Sequence, residues 1–205
     1  MNADEYIVDN PRLRQFVDHV RATVAAVPPA EALEQLRPAF AELLADHAWL
    51  PDEFQQPISE SGMGGGIATW LLFRSVAGDL SLSALVVPPG AATPIHDHLA
   101  WGMVGLYAGE QDEEVFQHHA AGDHGSLELT EQNHLKPGNF YVLLPPDGDI
   151  HRVLTTSDQP SVSLHLLGND IGCTTRHTYS REDGSVNAFR SGWSNVPCRE
   201  DGQEA

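Results

Sequence analysis

The stretch PGAATPIHDHLAWGMVGLYAG, residues 89–109, contains two histidines one residue apart, and no acidic residue follows His98 until Glu110. Successive residues of a β-strand point to opposite faces, so His96 and His98 share one face while Asp97 faces away. Their imidazoles, ~6–7 Å apart along the strand, can reach one metal ion. The stretch therefore predicts a metal-binding pair on a strand.

The spacing of the glycines around this pair extends the pattern. Five residues separate Gly90 from His96, and six residues separate Gly102 from Gly109. This arrangement resembles the first motif of the cupin superfamily, in which an acid occupies the position of Gly102. The chain therefore matches the motif except for its carboxylate ligand.

The second cupin motif also has a counterpart. The tripeptide at 136–138, Lys-Pro-Gly, opens a strand, Pro145 ends it, and His151 begins the next strand. The resemblance covers about residues 66–168. It implies a mainly β fold, the cupin double-stranded β-helix or jelly-roll barrel, with His96, His98 and His151 as the metal ligands.

Replacing the carboxylate with Gly102 changes the charge of the site. Three neutral histidines leave a bound dication with its full charge, which favours an anionic ligand. A thiolate meets this requirement, because a dication deprotonates a coordinating thiol and sulfur suits ferrous iron. Three positions of an octahedron would stay open for a bidentate thiolate and dioxygen.

Three segments, TPIHDHLAWGMVGLYAGEQ, PGNFYVLLPPDGDIHRV and SVSLHLLG, resemble the cysteine dioxygenase and 3-mercaptopropionate dioxygenase family, especially its bacterial branch. The resemblance spans most of the chain from about Trp70 to Trp193. It implies an Fe(II) cofactor and an enzyme that adds both atoms of O₂ to a small carboxylate-bearing thiol, giving a sulfinate.

The family resemblance also implies roles for individual residues. Arg74 falls where family members carry the arginine that pairs with the substrate carboxylate, and its place in the apolar run WLLFRSV favours burial. Ser163 and His165 match the family's Ser-His-Tyr relay. The tyrosine position holds Leu167, and a cysteine–tyrosine crosslink is excluded because Gly102 occupies the cysteine position.

Two other functions stay open from the sequence. Because Leu167 replaces the family's tyrosine, one alternative is a three-histidine cupin dioxygenase that cleaves carbon–carbon bonds of another substrate, such as a diketone or an aromatic acid. A non-catalytic cupin holding zinc or nickel in the same site is the third possibility.

Composition restricts the partners. The formal net charge is −18, from 11 Lys plus Arg and 29 Asp plus Glu. This charge disfavours nucleic acids and anionic membranes. The family resemblance implies a small thiol and O₂ as partners, and we expect a monomer or weak homo-oligomer. The chain shows neither a secretory signal nor an apolar run of ~18 residues, which predicts a cytoplasmic protein. Cys173 and Cys198 are predicted to be reduced thiols.

The pattern along the chain predicts three parts. Residues 1–61 form an N-terminal helical lead-in, with one amphipathic helix over 11–27 and a second from Leu33 to about His47 that Pro38 kinks or splits. Residues 62–168 form the barrel, entered through the flexible joint SGMGGG. Residues 169–205 form a polar extension of the same domain, with a possible hairpin around Asp183-Gly184.

Runs of β-type residues predict eight strands in the barrel. They are Ile67 to Val76, Leu80 to Val87, Trp101 to Tyr107, Glu113 to His118, Ser126 to Glu131, Asn139 to Leu144, His151 to Thr155 and Val162 to Gly168. Four further histidines, His118, His119, His124 and His134, are predicted to lie in a solvated loop.

Overall fold

The structure is a computed structural model that describes residues 3–59, 62–121 and 124–199. Two antiparallel sheets of six strands each dominate it, and two α-helices lie between the first strand and the remaining eleven. The strands are β1 Glu5–Tyr6, β2 Ala68–Arg74, β3 Ser81–Val87, β4 Ile95–His96, β5 Gly102–Ala108, β6 Gln111–Ala121, β7 His124–Leu135, β8 Phe140–Leu143, β9 Ile150–Thr155, β10 Ser161–Leu167, β11 Arg176–Tyr179 and β12 Val186–Phe189.

The strand order is that of a double-stranded β-helix. One sheet has the order β1-β2-β3-β10-β5-β8, and the other has β12-β11-β4-β9-β6-β7. Strands distant in sequence are therefore neighbours, as β3 and β10 are, and the sheets enclose a barrel interior. The predicted mainly β cupin fold is confirmed, and each of the eight predicted strands overlaps an observed one.

The two helices cover the outer face of the first sheet. Helix α1, Pro11–Ala26, begins where the Asn10 side chain accepts a hydrogen bond from the backbone N–H of Leu13 at 2.9 Å, an N-cap. Helix α2, Pro29–Ala45, is continuous through Pro38, so of the two predicted outcomes, a kink or a split, the split does not occur. No described helix has the length and apolar character that crossing a membrane requires.

Alternation along β10 separates the helix-packed core from the barrel interior. Val162, Leu164 and Leu166 belong to the core that the helices cover, whereas Ser163 and His165 point to the opposite face. All of them are buried. The same strand thus supplies apolar packing on one side and polar groups to the interior on the other.

The predicted solvated loop of four histidines is instead a long β-hairpin of β6 and β7. His119 lies 2.9 Å from a carboxylate oxygen of Glu128, and His134 lies 2.7 Å from Asp112. Residues 122–123, at the turn, lie outside the described chain. The loop prediction was wrong because pairing between β6 and β7 stabilises these polar residues as strands.

The C-terminal extension turns back onto the barrel. Strands β11 and β12 form the predicted hairpin around Asp183-Gly184, where Gly184 has a φ of 67° that glycine adopts without strain. Beyond it, Ser194 Oγ accepts a hydrogen bond from Thr69 N–H at 2.9 Å. Residues 190–199 therefore lie against the end of the barrel.

The returning segment brings the two cysteines together. Cys173 and Cys198 form a disulfide bond, with Cα atoms 5.5 Å apart across a sequence separation of 25 residues. The prediction of two reduced thiols is wrong, because spacing in the sequence did not reveal that the chain end returns beside the residues that precede β11.

Removing the disulfide should lower stability. For the double variant Cys173→Ala/Cys198→Ala we expect a loss of about 3 kcal/mol, the loop-closure value for a crosslink of this span. In a domain of this size, that corresponds to a decrease in Tm of about 6–12 °C. Thermal unfolding followed by circular dichroism measures the change. Reducing the wild type should give the same decrease, and an unchanged Tm in both experiments would contradict the prediction.

Candidate metal centre

The three predicted ligands lie together in the barrel interior. Strand β4 pairs with β9 so that His96 lies opposite His151, and His98 follows two residues after His96. The ring centroids are 4.7–5.2 Å apart, and one nitrogen of each ring lies within 4.8 Å of the other two. All three side chains are buried. This is a spacing at which one ion can contact three imidazoles.

Hydrogen bonds fix the tautomers of the first two rings. His96 Nδ1 lies 2.9 Å from the Pro94 carbonyl oxygen, and His98 Nδ1 lies 3.2 Å from a carboxylate oxygen of Asp149. Because a carbonyl and a carboxylate only accept, each Nδ1 must donate, which leaves the Nε2 lone pair for a metal. Burial, followed by the nearby His151 and Arg176, holds the pKa of both rings well below the usual value, so both are neutral.

The third ring has the same arrangement. His151 Nδ1 lies 2.9 Å from a Glu113 carboxylate oxygen and 3.2 Å from the Tyr141 hydroxyl, whereas its Nε2 is buried without a partner among the described residues. Burial alone would raise the pKa of Glu113, but hydrogen bonds from His151 and Tyr141 outweigh it and lower the pKa. A buried Nε2 without a hydrogen-bond partner is what a metal ligand requires, so the three residues fit a dication.

Sequence reasoning missed the carboxylates behind the histidines. Asp149 also accepts the backbone N–H groups of His98 and Leu99, each at 3.0 Å, so it anchors the segment that carries one ligand. Glu113 lies in the predicted strand Glu113 to His118 and Tyr141 in the predicted strand Asn139 to Leu144, but neither residue was assigned to the site. The available signal was alternation on β6, which directs Glu113 to the same side as the buried Val115.

The relay residues on β10 also reach the site. Ser163 Oγ lies 3.0 Å from His165 Nε2, and the His165 ring is 5.9 Å from that of His98. Burial, then the neighbouring His151 and Arg176, lower the pKa of His165 to about 3, so the ring is neutral at pH 7.

The two positions that depart from the family pattern are neighbours. Gly102 pairs with Leu167 across β5 and β10, and a Cβ on Gly102 would lie 2.6 Å from a Leu167 methyl group. Leu167 is fully buried among Ala100, Val104 and other apolar side chains. No space for an acid at position 102 remains, so the structure accounts for a site with three histidines and no carboxylate ligand.

Arg74 is buried, as predicted, but the structure does not bring it to the histidines. Its Nε lies 2.7 Å from a Glu5 carboxylate oxygen, and its Nη1 lies 3.3 Å from an oxygen of Asp170. Both terminal nitrogens also lie 3.4 Å from the Pro197 carbonyl. These partners already satisfy the guanidinium.

The arginine beside the histidines is Arg176, which sequence reasoning missed. It lines a small buried cavity together with His96, His98 and His165. Burial lowers its pKa to about 10, so it stays charged at neutral pH. Nη2 donates to Ser191 Oγ at 3.2 Å, and Nε has no hydrogen-bond partner within the described ranges. Arg176 is the first residue of β11 and lies in a polar segment with no distinctive pattern, so no sequence feature identified it as a site residue.

Asp97 connects the metal ligands to this arginine. Its backbone carbonyl accepts from Arg176 Nη1 at 2.9 Å. Its carboxylate faces away from the site, as predicted, and accepts from His177 Nδ1 and the Tyr179 hydroxyl, each at 2.8 Å. The residue between the two ligands therefore holds β11, and with it Arg176, against β4.

The low pKa of His165 predicts a dependence of stability on pH. Above pH 6.5, the usual histidine pKa, the ring is neutral in both folded and unfolded chains, and the folded state bears no penalty. As pH falls from 6.5 towards about 3, only the unfolded chain takes up the proton, so stability decreases.

We expect His165→Gln to make this decrease shallower, because the variant lacks the titrating ring. The Tm of the metal-free protein and of the variant, measured between pH 7.5 and 4.5, tests this. Parallel curves over the range would contradict the prediction.

No protein-family model matches the chain. A double-stranded β-helix protein from Klebsiella pneumoniae subsp. pneumoniae is similar at 14% identity and a TM-score of 0.43, over 71% of this chain and 99% of that one. An oxalate decarboxylase from Lactobacillus farciminis, in complex with formate, is similar at 19% and 0.41, over 58% of this chain and 32% of its own. Peruvianin-I, a cysteine peptidase from Thevetia peruviana latex, is similar at 18% and 0.41, over 61% and 78%. These similarities carry no information about the chemistry of this site.

Proposed function

We propose that the chain is an iron(II) thiol dioxygenase that converts a small carboxylate-bearing thiol, of the 3-mercaptopropionate or cysteine kind, into its sulfinate. One observation carries the proposal. Two of the three candidate metal ligands, His96 and His98, line the same cavity as the buried guanidinium of Arg176, which has no ion-pair partner among the described residues. Such a cavity favours a ligand with two negative groups.

Charge explains why two anionic groups fit. A dication held by three imidazoles would gain no negative charge from its direct ligands, and Arg176 adds a positive charge in surroundings that exclude water. The Glu113 and Asp149 carboxylates behind the rings offset part of this charge. A thiolate at the metal and a carboxylate at Arg176 neutralise most of this charge. The free Nε of Arg176 and its adjacent Nη2 present the edge that a carboxylate contacts bidentately.

The overall reaction balances without an added reductant. A thiolate and O₂ combine to give R–SO₂⁻, which forms two sulfur–oxygen bonds and breaks the oxygen–oxygen bond. Sulfur loses four electrons, and the two oxygen atoms take them up. Iron(II), held by His96, His98 and His151, would supply the redox chemistry that joins sulfur and dioxygen.

The residues of the chain orient the substrate and hold protons. Arg176 fixes the carboxylate and so directs the thiol end of a short substrate towards the histidines. His165 is neutral at pH 7 and hydrogen-bonded to Ser163, so it offers a hydrogen bond at the cavity wall without adding charge. Glu113 and Asp149 hold the Nδ1 protons of His151 and His98.

An oxygen electrode tests the proposal with the iron(II)-loaded protein and four thiols: 3-mercaptopropionate, cysteine, mercaptosuccinate and cysteamine. We expect O₂ uptake with at least one carboxylate-bearing thiol, a sulfinate product by mass spectrometry, and little turnover of cysteamine, which lacks the carboxylate. No uptake with any thiol would overturn the proposal.

Leu167 favours a carbon–carbon-cleaving dioxygenase as the alternative function, because the tyrosine hydroxyl that the thiol dioxygenase family carries at this position is missing. A diketone tested in the same electrode separates the two functions. Uptake with the diketone alone would identify a carbon–carbon-cleaving dioxygenase instead.

A further inference from the structure

The glycine-rich segment GMGGG, residues 62–66, contributes one side chain to the cavity of the metal centre. Met63 lines that cavity together with His96, His98, His165 and Arg176. Among the described residues that line it, Met63 is the only one that is half-buried, and all the others are buried. The boundary between the cavity and solvent therefore lies at Met63.

The cavity is too small for the substrate class proposed above. Its volume is about 20 Å³, which is room for roughly one water molecule. A thiol that also carries a carboxylate is several times larger. Part of the lining must move before such a ligand can bind between the histidines and Arg176.

Most of the lining is held in place by sheet hydrogen bonds. Thr69, Ser83 and His165 belong to β2, β3 and β10, which pair with one another through the first sheet. Arg176 is fixed by Asp97 and Ser191. Displacing any of these side chains requires moving a paired strand or breaking a buried charge-assisted hydrogen bond.

The segment that carries Met63 lies outside both sheets. Backbone hydrogen bonds to Ile58 and Ile67 and apolar packing hold it, but it is not part of a paired strand. Gly64, Gly65 and Gly66 have φ values of 75°, 61° and 76°, a run of left-handed conformations that only glycine adopts without strain. The Met63 sulfur accepts a hydrogen bond from Thr69 Oγ1 at 3.6 Å, and sulfur is a weak acceptor. An unbranched methionine on such a segment can change rotamer at low cost.

We propose that Met63 gates the cavity and sets the size of the substrate that reaches the metal centre. The proposal rests on the thiol dioxygenase function for its substrate class, but the gate itself is a property of access to the three histidines. Met63 moves aside on the glycine run, the ligand passes, and the side chain closes over the bound ligand. Substrates too bulky for Met63 to close over them turn over slowly.

Two variants with opposite effects on side-chain volume test this, and a third is the matched control. Met63→Ala shortens the gate, Met63→Trp enlarges it, and Met63→Leu keeps its volume. The first readout is kcat/KM for 3-mercaptopropionate and for the bulkier mercaptosuccinate. The second is the rate at which the metal-free protein takes up Co²⁺, followed by its visible absorption, which needs no enzymatic activity.

We expect Met63→Ala to raise the ratio of kcat/KM for mercaptosuccinate to kcat/KM for 3-mercaptopropionate by about tenfold. This is the discrimination that a difference of about one methylene in pocket size provides. We also expect faster Co²⁺ uptake in Met63→Ala, slower uptake in Met63→Trp, and rates within twofold of wild type in Met63→Leu. Unchanged uptake rates in Met63→Ala and Met63→Trp would overturn the gate.

The two proposals fail in different ways. If wild type oxidises no thiol, the proposed function fails, and the Co²⁺ rates still decide whether Met63 controls access. If wild type oxidises thiols but neither the ratio nor the uptake rate changes in Met63→Ala and Met63→Trp, the gate fails and the function stands.

Discussion

Substituting His151 with alanine is expected to abolish metal retention and reduce O₂ uptake to background. The variant removes one of three ligands, and the two that remain lie on one short segment, which does not hold an ion as firmly as three converging imidazoles do. Metal content by mass spectrometry should fall from about one ion per chain to a trace. Activity should fall by at least a thousandfold, to the limit of the electrode.

The same substitution should also cost stability in the metal-free protein. Removing the ring takes one hydrogen bond from the buried Glu113 carboxylate, which keeps its contacts with Tyr141 and Asn133, and this loss costs about 1–3 kcal/mol. The matched control is His134→Ala, which removes an exposed histidine bonded to carboxylates on the hairpin. Metal content and activity should stay at wild-type level in that control. Stoichiometric metal in His151→Ala would refute the assignment.

The second large effect distinguishes the two buried arginines. We expect Arg176→Gln to lower kcat/KM for carboxylate-bearing thiols by about 150-fold, from the loss of about 3 kcal/mol of a desolvated charge pair. Most of the change should appear in KM. Any residual rate with cysteamine, which has no carboxylate, should change by less than about twofold.

Arg74→Gln is the matched comparison, and the opposite pattern is expected from it. Its guanidinium holds Glu5 and Asp170, so its loss should reduce the free energy of unfolding by about 2 kcal/mol and leave KM near the wild-type value. Urea denaturation and steady-state kinetics on both variants decide between them. Should Arg74→Gln raise KM while Arg176→Gln does not, the sequence-based role of Arg74 would be restored.

Local pattern predicted the parts of this protein that local physics determines. Alternation of apolar residues located the strands, and the period-2 geometry predicted for residues 96–98 placed His96 and His98 on one side with Asp97 on the other, although β4 itself ends at His96. His151 followed from the resemblance to the second cupin motif. Each of these inferences needed only neighbouring residues or a known spacing.

The missed features depend on segments that are distant in the sequence. Arg74 is neutralised by Glu5, on a strand 69 residues earlier, and Arg176 reaches the cavity because β11 pairs with β4. The residues around Arg74 and Arg176 do not show which of the two guanidinium groups pairs with a carboxylate of the protein. They also do not show which one has no such partner and can bind a ligand. The disulfide was missed for the same reason, since it depends on the chain end returning to the barrel.

The carbonyl of Asp97 gives the site a thermodynamic property of its own. The segment that carries the candidate ligands His96 and His98 also restrains the Arg176 guanidinium through the Asp97 carbonyl. A ligand that orders the histidines therefore lowers the entropy cost of ordering the guanidinium, and the reverse also holds. Affinity for the ion and affinity for the anion are then reciprocal, each enhancing the other by an equal factor. A chain depleted of its ion would consequently hold short carboxylic acids more weakly even where they touch only arginine.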